Sequence, residues 1–302
     1  MTASARDRRR DLVDLLPQFL TRRMRGWDGL LPLLSERGLA RQDALLLRTI
    51  VMETEPGAAM TEAELRARLF NPYSTVNAIF EALPALVERS CLAQHGEQYI
   101  VTPTGRTLIE RIERAGRAYL ATLDLLPPAD AERLADTLAE IAGRLWAAPE
   151  PVVKAHQARV RRLPAAVGVP PLARLDPAVY ALWMARDDAH IAAWCHEGFD
   201  GPAFELLSQI WSGAARTRPA LSERVGQSQH PADIARGLAT LSERGYVLVE
   251  GEALRLKPAG QAIRDVIEAE TDRIYFTPWP ARAPDEVAWL CETFQALCER
   301  LP

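Results

Sequence analysis

ALVERSCLAQHGEQYIVTPTGRTLIERIE, residues 85–113, and TLSERGYVLVEGEALRLKPAGQAIRDVIE, residues 240–268, carry one pattern twice. Arg89 and Arg244, Gly105 and Gly260, and Ile112 and Ile267 are each separated by 155 positions (244 − 89, 260 − 105, 267 − 112). A constant offset over so long a stretch means one structural unit duplicated within one polypeptide. Two such units can pack about a pseudo-two-fold axis, as a homodimer does.

The bulk properties bound what each unit can be. The chain has 302 residues, which suggests about two domains. Apolar residues make up 48% and charged residues 25%, the balance of an ordinary soluble globular protein. The net charge of −4 supplies no global basic field to draw in nucleic acid, so any contact with a polyanion must be local. Cys91, Cys195, Cys291 and Cys298 are widely spaced and include no C-x-x-C pair. That excludes a zinc pattern or a disulfide framework and predicts buried free thiols, with no metal and no cofactor. No stretch approaches the roughly 18 apolar residues of a membrane span, and residues 1–10 lack the apolar core of a signal peptide. A cytoplasmic protein without a membrane contact is expected.

Around the repeated stretches, apolar periodicity predicts helices over 11–36 and 41–54, then 61–70 and 74–90. Strands at 91–93 and 98–101 flank a turn at His95-Gly96-Glu97, and helices at 104–124 and 129–146 follow. Residues 148–176 are proline-rich and read as a linker with one basic helical piece at 154–162. The second unit reads as helices at 177–197, 201–213, 218–225 and 230–244. A hairpin with its tip at Glu250-Gly251-Glu252 comes next, then helices at 258–274 and 284–300. The fold class is mainly α with small β wings: two tandem winged helix-turn-helix lobes, 1–147 and 177–302, joined by the linker 148–176.

Helix, turn, helix, hairpin and long closing helix, read twice through the two quoted stretches, resembles the subunit of MarR-type transcriptional regulators. The resemblance spans most of the chain. It implies a duplex-DNA-binding regulator folded as an internal pseudo-dimer, monomeric unless two chains pair further. The segments 74–90 and 230–244 would point outward, and the helices at 11–36, 104–146, 177–197 and 258–300 would form the joint. It also implies a small aromatic effector bound beside that joint. The chain departs from the family in lacking the aspartate–arginine pair of the wing: the second tip, Glu250-Gly251-Glu252, repels phosphate.

Phosphate contacts need arginine near helix ends and wings, which points to Arg66, Arg68, Arg216, Arg218, Arg236 and Arg255. Base-edge candidates are Ser74, Thr75, Asn77, Gln227, Gln229 and His230, with Arg236 able to fork onto guanine. Two successive grooves require the reading segments about 34 Å apart. Pro84 lies inside 74–90 and should kink it. Trp183, His190, Trp194 and Trp279 could line an effector pocket, against the plainer expectation of core packing at the joint. Asp187-Asp188-x-His190 is expected to solvate or cap rather than hold a metal, because adjacent helical side chains point apart. No catalytic constellation is present, so no enzyme is expected. The alternatives are a winged-helix protein- or ligand-binding module that has lost its DNA face and a DNA-repair glycosylase, since Gln227-Ser228-Gln229 is similar to the paired glutamines of tandem winged-helix glycosylases.

Overall fold

The computed structural model describes residues 5–68, 72–74, 78–162 and 169–302. Helix α1 (Ala5–Arg22) encloses Leu12, Leu16 and Phe19 completely or nearly so. The single helix expected over 11–36 is instead broken. Gly26 and Gly29 interrupt it, the chain turns through Trp27 N–H to Met24 O at 3.1 Å, and a short α2 (Leu30–Ser35) follows. Glycine is a poor interior helix residue, and at Gly26 a Cβ would lie 2.6 Å from the Tyr119 hydroxyl.

Helix α3 (Arg41–Glu53) leads to a strand that periodicity did not suggest, β1 (Ala59–Thr61). It pairs with β3 (Gln98–Val101), which also pairs with β2 (Leu92–His95), so the order is β1-β3-β2, all antiparallel. Thr61 ends β1 and starts α4 (Glu62–Arg68): its hydroxyl accepts from Glu64 N–H at 3.2 Å, and Glu64 reaches back to Thr61 N–H at 2.8 Å. The kinked helix expected over 74–90 is two pieces, a 3-10 turn at Ala78–Ala82 and α5 (Leu83–Glu88). Pro84 falls in the first turn of α5, where its missing N–H has no partner to lose. Helices α6 (Pro103–Ala121) and α7 (Pro128–Ala147) close the N-terminal half.

The linker contains α8 (Ala155–Arg161), close to the expected 154–162. Lys154 Nζ donates to the carbonyls of Leu145 and Trp146 at the end of α7, at 3.1 and 2.6 Å. Asp188 accepts from the N–H groups of His156 and Gln157 at the start of α8, each at 3.0 Å. Asp188 thus caps, as expected for the Asp187-Asp188-x-His190 pattern, but across space. Helix α9 (Pro171–His196) begins at Pro171, earlier than the expected 177, because proline is tolerated in a first turn.

Then come α10 (Gly201–Trp211), α11 (Arg218–Val225), α12 (Pro231–Glu243), the hairpin β4 (Val247–Glu250) and β5 (Ala253–Leu256), α13 (Pro258–Phe276) and α14 (Pro284–Arg300). These lie within a residue or two of the expected spans.

Three apolar cores result among the described residues. One sits under α3–α5 and the first sheet, around Leu46, Leu65, Phe80 and Leu86. A second sits under α10–α12 and β4–β5, around Phe204, Leu221, Leu238 and Val247. The third is central and draws on both ends of the chain, with Phe19 against Phe294 at 5.7 Å between ring centroids. There α1 lies along α14 and α7 lies along α9.

Candidate nucleic-acid interface

The second half presents a compact helix–turn–helix. Thr217 caps α11, accepting from Ala220 N–H at 3.3 Å. The turn is tight: Ser228 N–H and Gln229 N–H both donate to Val225 O, at 2.9 and 2.8 Å. Helix α12 buries Ile234, Leu238 and Leu241 against α10 and leaves Ala232, Ala235, Arg236 and Ala239 exposed. The Arg236 side chain is 69% exposed and pairs with Asp233, one turn earlier.

The hairpin is stitched to the start of α11. Arg218 N–H donates to Glu252 O at 2.8 Å, Leu254 N–H donates to Arg216 O at 2.9 Å, and Thr217 bridges Ala253. These bonds fix the backbone beneath Arg216 and Arg218, whose side chains remain exposed, as does Arg255. Arg255 stands 4.0 Å from Glu250. Arg216, Arg218, Arg236 and Arg255 are therefore exposed, but the hairpin tip itself is acidic.

The other candidates fall elsewhere. Gln229 is wholly enclosed, so it cannot read a base edge; its amide donates to Tyr73 O and Pro202 O, each at 3.2 Å. That burial also leaves no exposed glutamine pair at 227–229. Gln227 and His230 are exposed. Ser74 is half-buried and donates to Ser228 O at 2.7 Å. Arg66 is held by Glu62 and lies 4.3 Å over the Phe80 ring. Thr75, Asn77 and the side chain of Arg68 lie outside the described residues. The Ser74–Ser228 bond brings the N-terminal ends of the two expected reading segments together, where a separation of about 34 Å was expected.

The four aromatic and histidine candidates do not converge on one pocket. Trp194 and His190 both pack on Phe204 in the second core, at 5.7 and 5.1 Å, while Trp183 and Trp279 belong to the central core. The four are thus divided between two cores rather than gathered at the joint. Burial, with Arg264 and Arg186 adding to it, lowers the His190 pKa to about 3, so its imidazole is neutral. Its Nδ1 lies 3.1 Å from the Thr271 hydroxyl. Cavities lie elsewhere. One of about 250 Å³ sits between the turn after α1, α3 and α6, lined by Met24, Trp27, Arg41, Leu45, Ile112 and Arg117. A groove of about 550 Å³ runs beneath the linker, past Val152, Val153 and Ile191 to Pro72. Three of the four cysteines are buried as expected, but Cys195 is exposed.

Sequence reasoning missed the turn Pro72–Ser74 as a bridge between the halves. The one available signal was an aromatic residue, Tyr73, in an otherwise polar turn. Among the described residues, no helix is long and apolar enough to cross a membrane. A family model described as a helix-turn-helix family matches residues 151–302, half of the chain. No curated protein and no solved structure matches.

Proposed function

The chain belongs to this helix-turn-helix family, and from that premise we propose that it is a transcriptional regulator that binds duplex DNA through α11, α12 and the β4–β5 hairpin. The observation that carries this is the open face of α12. Small alanines at 232, 235 and 239 let the helix sit deep in a groove, and Arg236 supplies the fork that guanine accepts. Arg216, Arg218 and Arg255 then meet phosphates on either side. DNA access fits a cytoplasmic protein, and the role is binding rather than catalysis.

We further propose that the two halves are twin MarR-like winged-helix modules on one chain. Geometry repeated at the sequence offset supports this. Thr102 N–H donates to Cys91 O at 3.2 Å, and Lys257 N–H donates to Tyr246 O at 2.9 Å. A Cβ on Gly105 would lie 2.2 Å from Cys91 O, and one on Gly260 would lie 2.3 Å from Tyr246 O. Thr61 pairs with Gln98 as Thr217 does with Ala253. A small aromatic effector belongs to the same proposal. Its site would be the 250 Å³ cavity, whose apolar floor of Met24, Trp27 and Ile112 has Arg41 and Arg117 beside it.

One observation favours a second reading, a protein- or ligand-binding module: the exposed carboxylates of Glu250 and Glu252 at the hairpin tip. A gel shift on duplexes selected from a random pool, repeated at stepped salt, separates the two. The regulator loses affinity steeply with salt, as counterion release demands. Arg236→Ala should weaken the selected duplex by about 1–3 kcal/mol and relax one base position. Retention that is insensitive to salt, or an unchanged Arg236→Ala, would remove α12 from the site.

A further inference from the structure

An arginine that stands off the open face of α12 fastens that helix to the centre of the molecule. Arg244 caps α12, its own N–H donating to Thr240 O at 3.0 Å. Its side chain forks back onto the end of α9: Nη2 donates to Glu197 O at 2.9 Å and Nη1 to Gly198 O at 3.2 Å. The guanidinium also lies 4.4 Å from the centroid of the Phe199 ring and 4.9 Å from that of Tyr246, and these two rings stack at 5.7 Å. One planar group thus ties together the end of α12, the end of α9 and the residue that leads into the β4–β5 hairpin. The carbonyls that close α9 answer its charge.

Apolar contacts are non-directional, so they set how deep a helix sits rather than how it is tilted. Those of α12 come from Ile234, Leu238 and Leu241, with Gly237 so close to α10 that a Cβ there would lie 2.6 Å from Leu206 Cδ1. Directional bonds stand at the two ends: the Gln229 amide to Pro202 O before the helix, and the Arg244 fork after it. At 1.5 Å per residue, Arg236 lies about 10 Å from the first of these. A tilt of about 10° about that end moves it by about 2 Å, whereas a site contact must be held within about 0.5 Å. We propose that Arg244 is a positioning residue for base recognition: its fork sets the tilt of α12 on α9, and so the register of Arg236 against a base edge, while touching no DNA itself. Being exposed, Arg244 adds little to global stability, which leaves orientation as the property it controls. Lysine cannot replace it, because an ammonium is a point charge that neither forks onto two carbonyls nor lies flat on the rings. The proposal rests on α12 being the reading helix.

Arg244→Lys in the whole chain keeps the charge and removes the fork. Fluorescence anisotropy reads affinity for a selected duplex and for an unrelated one at stepped salt, and chemical denaturation reads stability. The expected result is a folded variant of near wild-type stability that binds the selected duplex about tenfold more weakly, with its affinity for the unrelated duplex and the salt slope unchanged. Adding Arg236→Ala should then cost less than it does in the wild-type chain, because the contact is already misplaced. Tyr246→Leu, which removes one ring from the stack and keeps the carbonyl bonds, should show the same signature at smaller size and stands in if Arg244→Lys does not fold. Weakening by the same factor on both duplexes would mark a phosphate contact or a general loss of structure and would overturn the positioning role. So would unchanged affinity for the selected duplex, or losses from the two arginine substitutions that simply add. If the wild-type chain itself does not prefer the selected duplex, the reading of α12 falls and the role of Arg244 falls with it.

Discussion

In the C-terminal half a helix of 13 residues, α12, follows a tight turn and leaves Ala232, Ala235, Arg236 and Ala239 open. The matching stretch of the N-terminal half is a 3-10 turn and a helix of 6 residues, and its open positions include Glu81, Pro84 and Glu88. Both stretches bury their apolar face on a core of similar make-up. What differs is the side turned outward. Carboxylates repel a phosphate backbone, whereas small side chains around one arginine admit it. Some backbone contacts around the hairpins recur in both halves, while among the described residues an exposed arginine framed by alanines stands on this stretch in the C-terminal half alone.

If the scaffold is common, the same substitution should injure both halves alike. Gly105→Ala and Gly260→Ala each force a methyl against a carbonyl oxygen, and each should cost about 1–3 kcal/mol in chemical denaturation. A neutral result at one position and not the other would break the equivalence. A smaller effect should mark the C-terminal half alone. The described residues of the first core include no histidine, whereas His190 packs on the second. Its pKa in the fold, about 3, lies below the ordinary 6.5. The unfolded chain therefore takes up its proton first, and this group withdraws stability as pH falls from 6.5 toward 3. Asp187, pushed up by burial, acts in the opposite sense, so the informative comparison is with His190→Asn. That variant should flatten the acid loss seen in tryptophan fluorescence, and an unchanged acid limb would contradict a neutral buried imidazole.

The smallest effect lies at one matched position of the two halves. Ser90 adopts φ 56° at the end of α5, where the second copy has Gly245 at φ 73°. Ser90→Gly should relieve left-handed strain and stabilise by about 1 kcal/mol or less, read as a rise in melting temperature. Destabilisation would mean that the serine side chain holds something the backbone needs.

The hairpins and the helices of the C-terminal half are legible because their signals are local: short strands, glycine at the tip, helical apolar periodicity. Expectations failed where the deciding partner was distant in sequence. At Gly26, where the helix breaks, the Tyr119 hydroxyl stands where a Cβ would lie, from across the fold. Strand β1 is three residues long and forms only because β3 offers an edge. Gln229 looked like a base reader because its neighbours are polar, and it is buried because Tyr73 and Pro202 enclose it. Trp183, His190, Trp194 and Trp279 looked like one pocket because composition counts residues without placing them, and they are divided between two cores.

Hydroxyl-radical footprinting on a selected duplex tests the asymmetry most directly. A single reading helix predicts one protected patch, about half a helical turn wide, that disappears with Arg236→Ala. Two equal patches about one turn apart would mean that both halves read DNA and would contradict the account.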